Sequence, residues 1–482
     1  MNEERFSPER FGAAYQRFME WAGRQGRPAQ EGLARILRDH FGAEPSTFPV
    51  TTETVAAYDR PNLQLALLAY LAGPGRSHEL IGLGGPHHVS FSMIAGGAFE
   101  LPEGPVQRTL VGLGEGRTVS CVTSGLFLVR DADSRLAVKV SQAEPGFGPP
   151  GIALEVMAPE AEQGERFVAE LRRLMDERNV YRGRMIALRG DAYGQSMGVE
   201  FLSRPDTSRE NIVLPAGVLQ TVELHTVEFA RVSEALAASG RHLRRGLLLH
   251  GPPGTGKTLT AGYLAGRLAD RTVILLTGGG LGLLGAACRI ARSLQPSLVI
   301  LEDIDLVAAE RDMDLGDTTL MFELLNEMDG IGEDADVIFL MTTNRADLLE
   351  PALAARPGRV DQAVELPLPD DEGRARLLEL FSQGLEVSMS DGEVLVEATE
   401  GASPAFLREL VRKAALGAAV EGADVVTDDH FHAALSALEE GGQLTRRILG
   451  AEGADEVGTP EAGWPQFRDD EDEDTEWDED LR

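Results

Sequence analysis

The feature that most constrains this fold is a glycine-rich stretch between an apolar run and a helix-forming run. Residues 246–250 read GLLLH, the next eight read GPPGTGKT, and an Ala- and Leu-rich segment follows. Glycines are needed there because the backbone must wrap a polyphosphate closely enough for successive N–H groups to face its oxygens. The stretch therefore predicts a strand, a phosphate loop and a helix, with loop contacts from Gly251, Pro252, Pro253, Gly254, Thr255, Gly256, Lys257 and Thr258.

Charged and hydroxyl groups at the end of this loop and after it stand in the order that phosphoryl chemistry needs. Lys257 is suited to neutralising phosphate charge, and the Thr258 hydroxyl is suited to binding Mg²⁺. A second apolar run, residues 297–301, ends in Glu302 and Asp303, 45 residues after Lys257. One acid is needed in the Mg²⁺ shell and one to orient or deprotonate the attacking water. A merely solvated acidic strand end is the plainer alternative, and the preceding loop argues against it.

Two further polar residues follow a third apolar run. Residues 337–342 lead to Asn344, whose amide is suited to positioning water, and RPGR follows at 356–359. Arginine suits a transferring phosphoryl group because its planar fork stays charged. Taken alone, a turn Asn and a surface Arg are equally good interpretations, and their order after a phosphate loop favours catalysis. Near-continuous apolar strands alternating with helices also predict a parallel α/β sheet.

Four phrases in this region resemble the AAA branch of the AAA+ ATPases: GPPGTGKT, PSLVILEDID, LLNEMDG and TTNRADLLEPALAARPGRVD. The resemblance covers roughly residues 205–445. It implies a P-loop α/β fold with a five-stranded parallel sheet and a C-terminal helical lid, with ATP and Mg²⁺ as cofactors. It also implies a homo-oligomeric ring, for which we favour a hexamer. ATP then lies between subunits, so Arg359 would act on the neighbour's nucleotide as an arginine finger, and Asn344 would serve as sensor 1.

The sequence departs from that family's pattern at three places. The usual Asp-Glu pair is reversed, so the resemblance gives Glu302 the metal-side place and Asp303, one methylene shorter, the place of the catalytic base. Gln362 stands where a second finger arginine is usual, and segment 278–285 is short and lacks an aromatic residue. These features look like the branch containing the mitochondrial ATPase that translocates the folded Rieske iron–sulfur protein, although its membrane anchor has no counterpart here.

The texture of the remaining chain predicts five regions. We expect a helical N-terminal region over residues 1–75, opened by a helix from Ser7. A β-rich α+β domain for substrate or adaptor recognition follows over 76–204, then the large ATPase subdomain over 205–368. The helical lid covers 369–450. Residues 451–482 carry 14 acids and 2 Arg, which is typical of a disordered acidic tail.

Charge and cysteine content exclude several classes of protein. Lys plus Arg number 45 against 78 Asp plus Glu, which gives a net charge of −33 and repels nucleic acid. No run reaches the ~20 apolar residues of a membrane span, so we expect no transmembrane segment. Cys121 and Cys288 are too few for a disulfide framework, which favours the cytoplasm. The absence of H-E-x-x-H excludes a fused zinc metalloprotease.

Two functions fit these residues. The leading hypothesis is a ring-forming ATPase that couples ATP hydrolysis to protein remodelling or translocation. The alternative is a nucleotide-controlled scaffold that hydrolyses ATP slowly, since the two acids are reversed; a nucleic-acid motor is a weaker third choice. Two assignments stay open at this stage. Arg408 is either a sensor 2 arginine or a surface residue, and the acidic tail either solubilises the chain or binds a partner.

Overall fold

The structure is a computed structural model that describes most of the chain between residues 32 and 440. The described residues are 32–84, 89–95, 101–132, 134–143, 151–190, 197–305, 326–328, 330, 332, 334–347, 360–390 and 392–440. Three predictions lie outside these ranges: the helix opened by Ser7, the arginine finger Arg359, and the acidic tail over residues 451–482.

The first of two large sheets has seven strands, and its pairs are antiparallel. Its order is β1-β7-β6-β5-β2-β3, with β4 paired to β5. Val50 at the start of β1 lies opposite Met157 at the end of β7, so the first and last strands of this sheet in the sequence are neighbours. The strands are β1 (Val50–Ala56), β2 (Arg76–Leu83), β3 (Glu103–Gly104), β4 (Gln107–Gly112), β5 (Thr118–Asp131), β6 (Ser134–Gln142) and β7 (Gly151–Met157).

Helices cover both faces of this first sheet. They are α1 (Leu33–Phe41), α2 (Arg60–Leu71), α3 (Phe91–Ala95) and α4 (Ala161–Glu177). On one face α2 and α4 bury Leu67 and Phe167 in a core with Val138. On the other face α1 and α3 bury Leu37 and Phe91. The sheet already begins at β1, inside the region predicted to be helical over 1–75, because β1 pairs with a strand about one hundred residues later, which local spacing does not show.

The second sheet also has seven strands, in the order β14-β10-β13-β12-β11-β8-β9. All neighbours run parallel except β9, which is antiparallel to β8. The strands are β8 (Met185–Gly190), β9 (Met197–Leu202), β10 (Arg245–His250), β11 (Thr272–Thr277), β12 (Ser297–Glu302), β13 (Val337–Thr343) and β14 (Gln362–Glu365). The P-loop α/β fold class is confirmed, and β10 to β14 are the five strands that the resemblance implied.

Strands β8 and β9 are a correction to the predicted organisation. They lie within residues 76–204, which we assigned to the separate β-rich domain, yet they extend the second sheet beyond β11. The physical reason is burial: β8 places Met185 opposite Val273 of β11, and Ile186 and Leu188 join the core of the second sheet. The other predicted domain limits stay predictions.

Alternate residues of the central strands face opposite sides, which explains their continuous apolar sequence. Val299 and Phe339 pack against the helix Leu284–Ser293, whereas Ile300 and Leu340 pack against the helix Lys257–Arg267 on the other side. Both faces are therefore covered, as parallel sheets require. The helices of this part are α5 (Val218–Glu223), α6 (Phe229–Ala238), α7 (Lys257–Arg267) and α8 (Leu284–Ser293), with a π-helical turn, Leu224–Glu228, joining the first two.

The lid is a smaller unit of four helices and a two-stranded parallel sheet. Asp370 caps the first helix by accepting a hydrogen bond from Gly373 N–H at 2.8 Å. Ser403 caps the third by accepting from Phe406 N–H at 3.2 Å. The elements are α9 (Asp371–Phe381), β15 (Glu386–Ser388), α10 (Gly392–Ala398), α11 (Pro404–Glu421), β16 (Val425–Thr427) and α12 (Asp428–Glu440).

The turn between α4 and β8 joins the two sheets. Val180 N–H donates to Asn62 Oδ1 at 2.9 Å, and the Tyr181 hydroxyl donates to the Tyr58 carbonyl. Arg184, the last residue of the turn, forms a 2.7 Å ion pair with Glu115 of the β4–β5 hairpin. The N-terminal sheet is thus fixed to the edge of the second sheet. In the part of the chain that the structure describes, no helix has the length and apolar content to cross a bilayer.

Candidate active site

The loop between β10 and α7 adopts backbone angles that favour glycine. Gly251, Gly254 and Gly256 have φ values of 144°, 77° and 95°. A Cβ on Gly251 would lie 2.3 Å from the Leu366 carbonyl oxygen, and one on Gly254 would lie 2.7 Å from Ser403 Oγ. A Cβ on Gly256 would meet nothing within 4 Å, so open space faces the loop there. The loop therefore forms the cradle that a polyphosphate needs.

Lys257 begins α7 and lies almost completely inside the site, with 6% of its surface exposed. Its Nζ donates to the carbonyl oxygens of Gly251 and Pro252, both at 2.8 Å. Burial lowers the pKa of Lys257 to about 8, while the charges of Asp303 and Asp305 act in the opposite direction. Within the described part of the chain this ammonium has no carboxylate ion pair, which suits it to a phosphate.

Thr258 and Glu302 meet at the edge of the same site. Burial, and then the charge of Asp303, raise the pKa of Glu302 above its usual range, while the neighbouring Thr258 side chain acts in the opposite direction. An adjacent hydroxyl and carboxyl provide the hard oxygen ligands that Mg²⁺ takes, and a bound cation would favour the charged carboxylate. These two residues fit the predicted metal site.

Asp303 is held in an uncommon backbone conformation directly after β12. Its φ is 51°, and its N–H donates to Thr342 Oγ1 at 3.1 Å. Asn344 Nδ2 lies 3.4 Å from Asp303 Oδ1, so the amide contacts the carboxylate across the strand ends. Non-glycine residues with positive φ concentrate at functional sites. The fold brings the predicted base and the predicted water-positioning residue together.

Asp305 is a residue that our sequence reasoning did not select. It is 8% exposed, and its Oδ1 accepts from the Thr343 hydroxyl at 2.9 Å and from Asn344 N–H at 3.2 Å. It thus fixes the backbone from which the Asn344 side chain projects. The signal was the third acid of the phrase LEDID, which stands two residues after Asp303.

Lys257, Thr258, Asp303 and Asn344 line one cavity of about 380 Å³ that the lid closes on one side. Phe381, Pro404 and Arg408 line it from the lid, and Ala405 N–H donates to the Gly254 carbonyl at 3.2 Å. Loop and lid therefore touch directly. Arg408 lines the cavity, as a sensor 2 arginine would, and is at the same time exposed, so both interpretations of this residue stay open.

The short segment after β11 is folded against the extra strand β8. Gly278–Leu283 forms a 3₁₀ helix, and a Cβ on Gly280 would lie 3.2 Å from the Leu188 carbonyl oxygen. The side chain of Leu283 lies against Gly190 at the end of β8. This segment thus lacks an aromatic residue and packs against strand β8 of the second sheet.

Comparison with known proteins agrees with this geometry. The model of the ATPase family associated with various cellular activities (AAA) matches residues 247–368. These residues contain the phosphate loop, Glu302, Asp303 and Asn344. The matched segment begins in β10 and ends just after β14, so it covers the five predicted strands.

Three similar proteins are two nucleotidases and one metalloprotease. The proteasome-activating nucleotidase of Methanopyrus kandleri is 36% identical over 222 residues, 42% of this chain and 50% of that protein. The proteasome-activating nucleotidase of Methanothermobacter thermautotrophicus is 32% identical over 296 residues, 56% of this chain and 71% of that protein. The ATP-dependent zinc metalloprotease FtsH of Acidimicrobium ferrooxidans is 32% identical over 275 residues, 54% of this chain and 41% of that protein. The chain spans about half the length of the first of these relatives.

Proposed function

Because this chain belongs to the AAA family of ATPases, we propose that it is a ring-forming ATPase that couples ATP hydrolysis to remodelling of a protein substrate. The observation that carries the proposal is convergence on one cavity. Lys257, Thr258, Asp303 and Asn344 line it at the carboxyl ends of parallel strands, and Glu302 stands next to Asp303 as the last residue of β12. Ligands of open α/β sheets bind at this edge.

We assign the chemical roles as follows. Bound Mg²⁺-ATP supplies the phosphoryl group and its neutralising cation. The Gly251 to Thr258 loop binds the phosphates through backbone N–H groups, and Lys257 exchanges its two carbonyl partners for phosphate oxygens. Thr258 and Glu302 would hold Mg²⁺. Asp303 accepts a proton from the attacking water, while Asn344 orients that water.

The ring completes each site across a subunit boundary. We propose that Arg359 of the neighbouring subunit stabilises charge on the transferring phosphoryl group, as an arginine finger does. Gln362, at the start of β14, cannot supply a second such charge. A single finger per site makes hydrolysis dependent on assembly, and six subunits is the number that we favour.

The slow scaffold stays a second candidate because of Asp303. Its side chain is one methylene shorter than glutamate, and its carboxylate already contacts Asn344 at 3.4 Å. A base that is short and fixed near a neighbouring amide has less freedom to reach water. Slow turnover with tight ATP binding would favour this candidate over the motor.

The substrate class is proposed from the segment after β11. In this chain that segment packs on β8 and carries no aromatic side chain, which suits contact with a folded partner rather than an extended strand. The likeness to the branch of the mitochondrial Rieske-protein translocase remains part of this proposal. The N-terminal sheet would recognise the substrate or an adaptor. We place the protein in the cytoplasm, because Cys121 and Cys288 are separate buried thiols.

The experiment is a substrate trap. Tagged full-length chain carrying Asp303→Asn is expressed in cells, and its complexes are isolated with ATP and sized by mass photometry. We expect an ATP-dependent ring that retains a defined protein, which the wild type releases on hydrolysis. The matched control Lys257→Met should bind ATP far more weakly and retain no substrate protein. A chain that stays monomeric with ATP, or an equal yield of captured protein with Lys257→Met, would contradict the proposal.

A further inference from the structure

The lid contains a large open groove besides the nucleotide cavity. Helices α9 and α10 and strand β15 line this groove, whose volume is about 1160 Å³. Among the described residues it shares no lining side chain with the nucleotide cavity. Small-molecule sites are usually about 300–1,000 Å³ and enclose their ligand. An open groove of this size is better suited to a segment of polypeptide.

The floor of the groove is apolar. Leu378 is buried against the lid core, while four other side chains are only partly covered. Leu385 is the most open of them, with 37% of its surface exposed. Partly covered aliphatic groups at the bottom of a groove gain free energy when a partner removes them from water. The floor consists of Leu378, Leu385, Val387, Met389 and Val396.

The rim of the groove is strongly acidic. Asp371 forms a 2.8 Å ion pair with Arg374, whose guanidinium also bonds two backbone carbonyls. The other five carboxylates form no salt bridge with any residue that the structure describes. Glu393 and Glu397 are one helical turn apart on α10, where like charges repel each other. The rim carboxylates are Asp371, Glu372, Glu379, Glu393, Glu397 and Glu400.

We propose that this groove docks a basic amphipathic segment of a partner protein. Lysine and arginine side chains of such a segment would pair with the rim, and its apolar side chains would cover the floor. The acidic tail of this chain is excluded as the occupant, because its 14 acids would be repelled. The groove belongs to the lid, so the partner binds a unit that contacts the phosphate loop.

Docking does not depend on the proposed ATPase function and is measured without nucleotide.

The test uses full-length chain and two labelled probe peptides of about 15 residues, enough for the anchors of one amphipathic helix. One peptide carries lysines and leucines, and the other has glutamates in place of the lysines. Fluorescence anisotropy without ATP should show binding of the basic peptide only. The groove variant E393Q/E397Q/E400Q should weaken that binding about tenfold and reduce its salt dependence.

Two matched controls separate docking from general attraction to an acidic protein. The variant E162Q/E165Q/E234Q removes the same charge from exposed glutamates elsewhere and should change the affinity by less than about twofold. Leu385→Asp should weaken binding about tenfold, whereas Val420→Asp, at a 79% exposed site outside the groove, should not.

Three outcomes would overturn the proposal. Equal losses in the two glutamine triples would show that only net charge is sensed. Indifference to Leu385→Asp would show that the apolar floor is not used. A change in subunit number with the groove triple, at unchanged peptide affinity, would assign the groove to packing between copies of this chain. Circular dichroism of each variant checks that the lid remains folded.

Discussion

Two buried lysines, one in each large sheet region, have opposite surroundings. Lys139 on β6 is 2% exposed and lies 2.5 Å from Glu155 Oε1, with Ser141 Oγ as a second partner at 3.3 Å. Lys257 on α7 is 6% exposed and bonds only uncharged loop carbonyls among the described residues. The first charge forms an ion pair inside the fold. The second lies at a cavity and forms no ion pair within the described residues, although Asp303 and Asp305 act on its pKa. Burial alone therefore does not identify a functional lysine, whereas a position at a cavity without an ion pair does.

The surroundings of Lys139 indicate a structural role. Glu155 uses its second oxygen to accept from Phe91 N–H at 2.7 Å, at the start of α3. The pair thus joins β6 and β7 to the helix that covers that face. The lysine at the cavity begins α7 instead, and its partners belong to the loop that would move around a phosphate. The predictions below follow from this contrast, in order of expected size.

Removing the paired lysine should produce the largest change in stability. Lys139→Met leaves the Glu155 carboxylate buried without its partner, which typically costs about 3–5 kcal/mol. Hydrogen exchange should show faster opening of β5 to β7 and little change in β10 to β13. The double variant K139M/E155L should recover most of the loss, because neither charge remains. Equal protection of β5 to β7 in wild type and Lys139→Met would contradict a structural pair.

Removing the unpaired lysine should change function and leave the fold intact. Lys257→Met should weaken ATP binding by at least about a hundredfold, because a charge-assisted contact to phosphate is lost. The protection of the second sheet against hydrogen exchange should not decrease, because removing a buried charge does not destabilise the fold. Lys413→Met, on helix α11 but outside the cavity lining, is the control, and its ATP affinity should match the wild type. Titration calorimetry provides the measurement, and retained affinity in Lys257→Met would refute the assignment.

Changing Asp305 tests whether this buried carboxylate positions the residues that follow β13. Asp305→Asn keeps the shape but weakens the hydrogen bonds to Thr343 and Asn344, so the sensor is positioned less firmly. We expect kcat to fall about tenfold with KM nearly unchanged, as for other residues that orient a reacting group. A parallel rise in KM would indicate a general disturbance of the site. Asp347→Asn is a suitable control, because Asp347 pairs with Arg345 at the surface.

The smallest predicted effect is a dependence on pH. Burial lowers the pKa of Lys257 to about 8, below its value in the unfolded chain. The nucleotide-free fold therefore releases this proton at a lower pH than the unfolded chain does. Stability of the free protein should therefore rise with pH between about 8 and 10.5, while phosphate affinity falls. Between about pH 7 and about pH 8.5 the protonated fraction drops about fourfold, and ATP affinity should drop by a similar factor. Lys257→Met should lose this rise in stability, and a rise that persists would assign it to another group.

The sequence was most informative where the chemistry is contiguous. The phosphate loop from Gly251 to Thr258 was predicted because its eight residues adopt their conformation locally and adjoin a strand and a helix. Glu302 and Asp303 were predicted because they end a buried strand. Each of these signals lies within a few residues.

Pairings between distant segments could not be predicted in the same way. Strand β1 is defined by its contact with β7, and β8 by its contact with β11. Asp305 matters because Thr343 and Asn344 lie beside it across the sheet. These two residues follow Asp305 by 38 and 39 positions in the sequence. The finger Arg359 lies outside the described residues and remains a prediction.

The most direct test of the central claim is steady-state phosphate release by purified full-length chain with Mg²⁺-ATP, compared with Asp303→Asn. ATP binding is measured on the same samples. If the residues around the cavity form a hydrolytic site, the wild type turns over ATP, and Asp303→Asn binds it equally well but loses at least about a hundredfold in kcat. Equal rates for the two proteins, or no turnover by the assembled wild type, would contradict the account.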